Sequence, residues 1–167
     1  MLTRAATPAD APAIKLVHQT AFGGDVEARL VSMLKADDDT LVSLVAGIEG
    51  ATVGHVLFSR MRVTVDDESL AAAALAPVGV LPHYQGLGIG SALIREGLAR
   101  LSAMGVGLCF VLGHAGYYRR FGFSTDLAVR FASPYAGSDF MALALDSALT
   151  LPERGVADYA PSFSRLG

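Results

Sequence analysis

The residues with the plainest chemical potential are three glycines on alternate positions, Gly86, Gly88 and Gly90, in the stretch 75–101, LAPVGVLPHYQGLGIGSALIREGLARL. An apolar run enters them and an amphipathic pattern leaves at once, so they form a loop between a strand and a helix. The backbone N–H groups of residues 86–91 then open a helix N-terminus, where unpaired donors and the helix dipole favour an anion. Glycines also let a ligand approach the backbone closely. The expected ligand is a phosphate ester, and three loop chemistries compete for it. A Walker A loop follows its glycines with Lys-Ser/Thr. This chain has Gly90-Ser91-Ala92, with no lysine to reach a terminal phosphate. A dinucleotide fingerprint needs G-x-G-x-x-G and an acid about 20 residues on. Here the spacing is G-x-G-x-G and the next strand ends FVLGHAG, without an acid. The third pattern, Q-x-x-G-x-G, is met by Gln85, Gly88 and Gly90, whereas a simple tight turn needs Gly86 alone.

The elements that must position this loop follow from periodicity and turn residues. Residues 2–7, LTRAAT, read as a short strand. Residues 8–22 carry Ile14, Val17 and Ala21 at helical spacing after Thr7 and Pro8, and residues 25–36 make a second amphipathic helix. Residues 40–48, 53–65 and 70–80 read as three strands linked by turns at EGAT and DDES. The helix after the glycines buries Gly90, Leu93, Ile94, Gly97, Leu98 and Leu101 and ends near Gly105. Residues 106–112 form a buried strand, 115–120 a short helix, and 127–132 with 140–145 a closing hairpin. The order is β-α-α-β-β-β-α-β-α-β-β in one domain spanning 1–167, an α/β fold with a mixed sheet and helices on both faces. Pro77 cannot donate to a ladder and Gly79 weakens a strand, so a bulge is expected there.

Bulk properties narrow the function. The chain of 167 residues is 52% hydrophobic and 17% charged, which supports a packed core and excludes disorder. Its mean hydropathy is +0.45, yet the longest apolar run, 70–81, is too short to span a bilayer. The N-terminus MLTRAATPAD lacks the apolar core of a signal peptide, so a cytoplasmic location without membrane partners is expected. The net charge of −3 disfavours nucleic acid as a partner. Cys109, the single cysteine, lies in the apolar run GVGLCFVL and reads as a buried structural thiol. No metal cluster is expected.

The stretch PVGVLPHYQGLGIGSAL resembles the acetyl-CoA loop of the GNAT superfamily of N-acetyltransferases, and YYRRFGF, 117–123, resembles the downstream motif of the same superfamily. The order of elements is also similar, so the resemblance covers nearly the whole chain and points to the small single-domain bacterial members. It implies a fold in which the central parallel strands splay and the pantetheine arm pairs along the freed edge at Val78, Gly79 and Val80. It implies that Gln85, Gly86, Leu87, Gly88, Ile89, Gly90 and Ser91 hold the pyrophosphate of acetyl-CoA, the co-substrate, with Tyr118 and Arg120 close by. Arg119 and Arg120 either meet the 3′-phosphate or lie in solvent.

The implied reaction is direct transfer of acetyl from acetyl-CoA to an amine of a small molecule or protein. A backbone N–H near Val80 would stabilise the oxyanion and Tyr118 would protonate the leaving thiolate, with Tyr117 packing beside it. For the base, His114 ends the strand beside the cleft and has a suitable ordinary pKa. Glu27, in FGGDVEARLVSML, lies in a segment similar to one recurrent in a bacterial subgroup, where it lines the acceptor pocket. Neither is separated from a structural role by sequence. His18 and His55 match no role, and His83 flanks the loop. The competing reading is a non-catalytic acyl-CoA-binding regulatory module. The apolar composition, with Phe140 and Phe163 as candidate contacts, allows a homodimer.

Overall fold

The computed structural model describes residues 1–166. Its strands are β1 (Leu2–Ala5), β2 (Thr40–Ile48), β3 (Ala51–Val65), β4 (Glu68–Val80), β5 (Leu108–Leu112), β6 (Phe131–Ala132), β7 (Phe140–Ala144) and β8 (Gly155–Asp158). Its helices are α1 (Ala11–Phe22), α2 (Val26–Ala36), α3 (Ile89–Ala103), and the single turns α4 (Ala115–Tyr118) and α5 (Thr125–Ala128). α1 stops at Gly23, whose φ of 74° lets its N–H return to the Gln19 carbonyl. β2, β3 and β4 form a meander, and the β3–β4 turn places Asp66 and Asp67 at φ 50° and 65°, the left-handed pair that suits a two-residue hairpin.

The sheet runs β1-β2-β3-β4-β5-β7. β4 and β5 are parallel and pair only at Ala72–Leu108, Ala73–Cys109 and Ala74–Phe110. β4 then continues to Val80 without a partner on that side, while β5 stays paired with β7 as far as Leu112. The splay is therefore built into the strand lengths. On its other side β4 pairs with β3, but the register passes from Leu75–Phe58 to Val78–Val56, so Ala76 and Pro77 together face Leu57. The bulge thus lies at Pro77.

The two faces of the sheet are covered differently. α3 packs Ile89, Leu93, Ile94 and Leu101 onto Leu44, Val56, Phe58 and Leu75. Burying that much apolar surface is the main stabilising term of the domain. Gly97 lies directly over Phe58: a Cβ there would come within 2.6 Å of Cζ. The opposite face carries α1, α2 and the C-terminal segment, which seats Phe110, Phe131 and Phe140 in a second cluster. Among the described residues no helix is long and apolar enough to cross a membrane.

The C-terminal third departs from the expected hairpin. Residues 127–132 do not form one strand. Ser124 caps α5, accepting from the Asp126 N–H at 3.1 Å, and only Phe131–Ala132 is extended. β6 and β7 do not pair with each other. β7 pairs with β5, whereas β6 pairs with the unexpected β8, which joins β3 beyond the end of β2. Phe140 is buried and stacked on Phe110 at 5.4 Å, so it offers no surface to a partner. Phe163 is half-buried against Tyr159 at 4.8 Å.

Candidate active site

The free edge of β4 and the glycine loop form one continuous surface. The Leu81 N–H donates to the Val53 carbonyl at 2.8 Å, on the β3 side. Donors alternate along a strand, so the Val78 and Val80 N–H groups turn to the edge that β5 has left. The Val80 carbonyl accepts from Gln85 Nε2 at 2.9 Å, which ties the loop back to the strand. Gly86 and Gly88 have φ of 77° and 83°, and Gly88 is the N-cap of α3 with no side chain capping the helix. A Cβ on either would meet nothing within 4 Å, so backbone conformation rather than crowding calls for glycine, and the amide face is open.

A cavity of about 270 Å³ sits against that face, lined by Val80, Gln85, Gly88, Ser91, Tyr117 and Arg120. Tyr117 and Ser91 share a hydrogen bond at 3.1 Å. Arg120 donates from Nε to the Tyr117 carbonyl at 3.0 Å and lays its guanidinium 4.5 Å over the Tyr117 ring. That places one cation beside the open amides. Leu87, 67% exposed, is not among the residues that line the cavity. Tyr84 and Tyr117 line the loop although sequence gave them no binding role. The signal for Tyr117 was its place in YYRRFGF, but the spacing does not tell two adjacent tyrosines apart.

Tyr118 lies just past β5. Its ring covers Gly113, where a Cβ would come within 2.6 Å of Cε2, and meets Phe123 edge to face at 6.0 Å. Burial, with Tyr117 alongside, pushes its phenol up to about 12, further from ionisation than an exposed tyrosine. His114 is the exposed N-cap of α4; its carbonyl accepts the Tyr117 and Tyr118 N–H groups and its ring makes no hydrogen bond. Glu27 lies in the first turn of α2, half-exposed and without an ion pair among the described residues. Tyr118 and His114 thus sit at the two ends of α4 and Glu27 on α2, with no hydrogen bond among them.

Behind β4, on the α1 face, is a polar row that sequence did not pick out. Ser43 Oγ lies 2.8 Å from His55 Nε2, and His55 Nδ1 lies 2.7 Å from His18 Nε2. Both rings are fully buried. Burial pushes His18 down to about 4 and His55, with His18 beside it, to about 3. His18 follows Ile14 and Val17 on the inner face of α1, and such an apolar stripe hides a histidine among core positions.

A family model described as an acetyltransferase (GNAT) domain matches residues 3–125. The chain belongs to the GNAT acetyltransferase family. This GNAT chain is 35% identical over 171 residues to the N-acetyltransferase YhbS of Escherichia coli, covering 99% of the chain and 100% of YhbS. It is 46% identical over 116 residues to the N-acetyltransferase YjhQ of the same organism, a match that spans 68% of the chain and 64% of YjhQ. Among solved structures it resembles a GNAT family acetyltransferase from Brucella melitensis in complex with acetyl-CoA, with a TM-score of 0.79, 35% identity and 97% of each chain covered. It also resembles Escherichia coli YhbS in complex with CoA, with a TM-score of 0.86, 32% identity, and 99% of this chain and 93% of that one covered. The GNAT resemblance carried by residues 75–123 is therefore correct, and the curated relatives are N-acetyltransferases.

Proposed function

We propose that the chain transfers the acetyl group of acetyl-CoA directly to an amine nitrogen of a small-molecule or protein acceptor. One observation carries the reading: an open cradle of α3 N-terminal amides is joined through Gln85 to the unpartnered edge of β4. The residues present fit coenzyme A. A pyrophosphate suits the uncapped amides at residues 86–91, with Arg120 as the nearby cation. An extended amide-bearing arm suits the free N–H groups of Val78 and Val80, as an added strand would. Bound there, the thioester supplies an activated acetyl group. The Val80 N–H would stabilise the carbonyl oxygen as it gains charge. Tyr118, a neutral phenol at pH 7, would give its proton to the departing sulfur.

The test is calorimetry with coenzyme A, followed by thiol release from acetyl-CoA against a panel of primary amines beside Tyr118→Phe. Binding, and release that depends on an amine, are expected. A folded chain that binds no coenzyme A would overturn the reading.

A further inference from the structure

We propose that Ser43, His55 and His18 form a relay that carries the acceptor amine's proton from the Gly79 side of β4 to the cavity between α1 and α2. The proposal rests on the acetyl-transfer reading.

Its starting point is an unpaired atom. His18 Nδ1 is buried and has no hydrogen-bond partner among the described residues. Buried polar atoms are nearly always paired, so one left bare wants a reason. It is aimed at β4: a Cβ on Gly79 would lie 2.8 Å from it. Gly79 lies between Val78 and Val80, on the strand whose free edge is proposed to hold the thioester. At the other end of the row, Ser43 lines an open cavity of about 240 Å³ with Thr7, Lys15, Lys35 and Thr40.

The two short contacts allow only two arrangements with both rings neutral. In the first, His18 Nε2–H donates to His55 Nδ1, His55 Nε2–H donates to Ser43 Oγ, and His18 Nδ1 is a bare acceptor. In the second, every donor is reversed and His18 Nδ1 carries the proton. A proton taken from the amine nitrogen by His18 Nδ1 converts one into the other. The Nε2 proton of His18 passes to His55 Nδ1, that of His55 Nε2 passes to Ser43, and the hydroxyl proton of Ser43 leaves to water in the cavity. Between turnovers the row resets: water in the cavity returns a proton through Ser43, His55 and His18, and His18 Nδ1 releases one to water on the Gly79 side once the product has left. No ring holds net charge at the end, which suits a site where burial holds both pKa values low. The charged groups around the row are Asp10, held by Arg4 at 2.7 Å, and Lys15 and Lys35 at the cavity. Phe22, exposed at the end of α1, stacks over His18 at 5.9 Å and is the cover a bound acceptor would displace.

Two measurements test it. Long-range ¹H–¹⁵N NMR on the histidine-labelled chain should find both rings neutral at pH 7 with the same nitrogen protonated on each. A charged ring, or different nitrogens protonated, would overturn the relay. In thiol release from acetyl-CoA with the amine panel, Ser43→Ala should lower kcat about 10-fold, Ser43→Thr should restore it, and His18→Gln should cost about 10²-fold, in the range of a lost general base. Unchanged kcat in Ser43→Ala overturns the relay, and so does a loss confined to Glu27→Gln or His114→Gln. If the wild type turns over no amine, that result counts against the acetyl-transfer reading and the ring protonation alone decides the relay.

Discussion

Acid should unfold this domain earlier than its carboxylates require. His18 and His55 are held at about 4 and about 3 by burial, against an ordinary value of 6.5. A lowered histidine pKa means that the unfolded chain binds more protons between those values, so stability is full above about pH 6.5 and falls as pH drops. From pH 7 to 4.5 the two rings together cost the fold on the order of 5 kcal/mol. That equals a large part of the 5–15 kcal/mol that holds a typical domain folded. Asp10 is also held low, by Arg4 and the Thr7 N–H, but its contribution is lost only below the ordinary Asp value of about 4. Glu96, held low by Thr3, adds its loss only near its ordinary value of 4.5, so the upper part of the window, from pH 6.5 to 5.5, belongs to the histidines. Urea unfolding followed by circular dichroism at pH 7.5, 6.5, 5.5 and 4.5 should show a stability slope approaching 2.7 kcal/mol per pH unit, two protons' worth, at the acid end. His18→Gln/His55→Gln should flatten it. A wild-type stability that is level across the window would refute the argument that these rings are buried neutral.

Gly97→Ala should destabilise the fold by about 1 kcal/mol or more, because overpacking against Phe58 exceeds the helix-propensity gain, and Phe58→Leu should relieve it in thermal melts. Gly88→Asp should abolish coenzyme A binding by calorimetry, since it forces a side chain into φ 83° and sets a carboxylate beside the open amides. Tyr118→Phe should keep coenzyme A affinity and lower kcat by about 10²-fold, whereas Tyr117→Phe, which breaks the Ser91 contact, should act on affinity with kcat near wild type.

What could be read from sequence was what local pattern encodes. The glycine loop, the strand at 40–48 and the β4–α3–β5 unit depend on period and turn residues, and they stand as expected. The last forty residues were harder because their partners are remote. β8 is four residues long and finds its place on β3, more than ninety positions away in sequence, so no local alternation marks it. α5 is a single turn in an apolar run and reads as strand until the Ser124 cap is seen. In the site, the loop was legible because glycine conformation is local. The Ser43–His55–His18 row was not, because it joins a helix and two strands through side chains that share core periodicity.

A bulge was expected at Pro77 and Gly79; it lies at Pro77, and Gly79 is small because an imidazole occupies its side-chain space. This ties two positions together in the history of the family. A substitution that adds a Cβ at 79 must be preceded by a smaller residue at 18, and a lineage that loses His18 leaves a space that an alanine at 79 can fill. The two sites should drift as a pair, and His18 should be most tightly held in those relatives where position 79 has stayed bare.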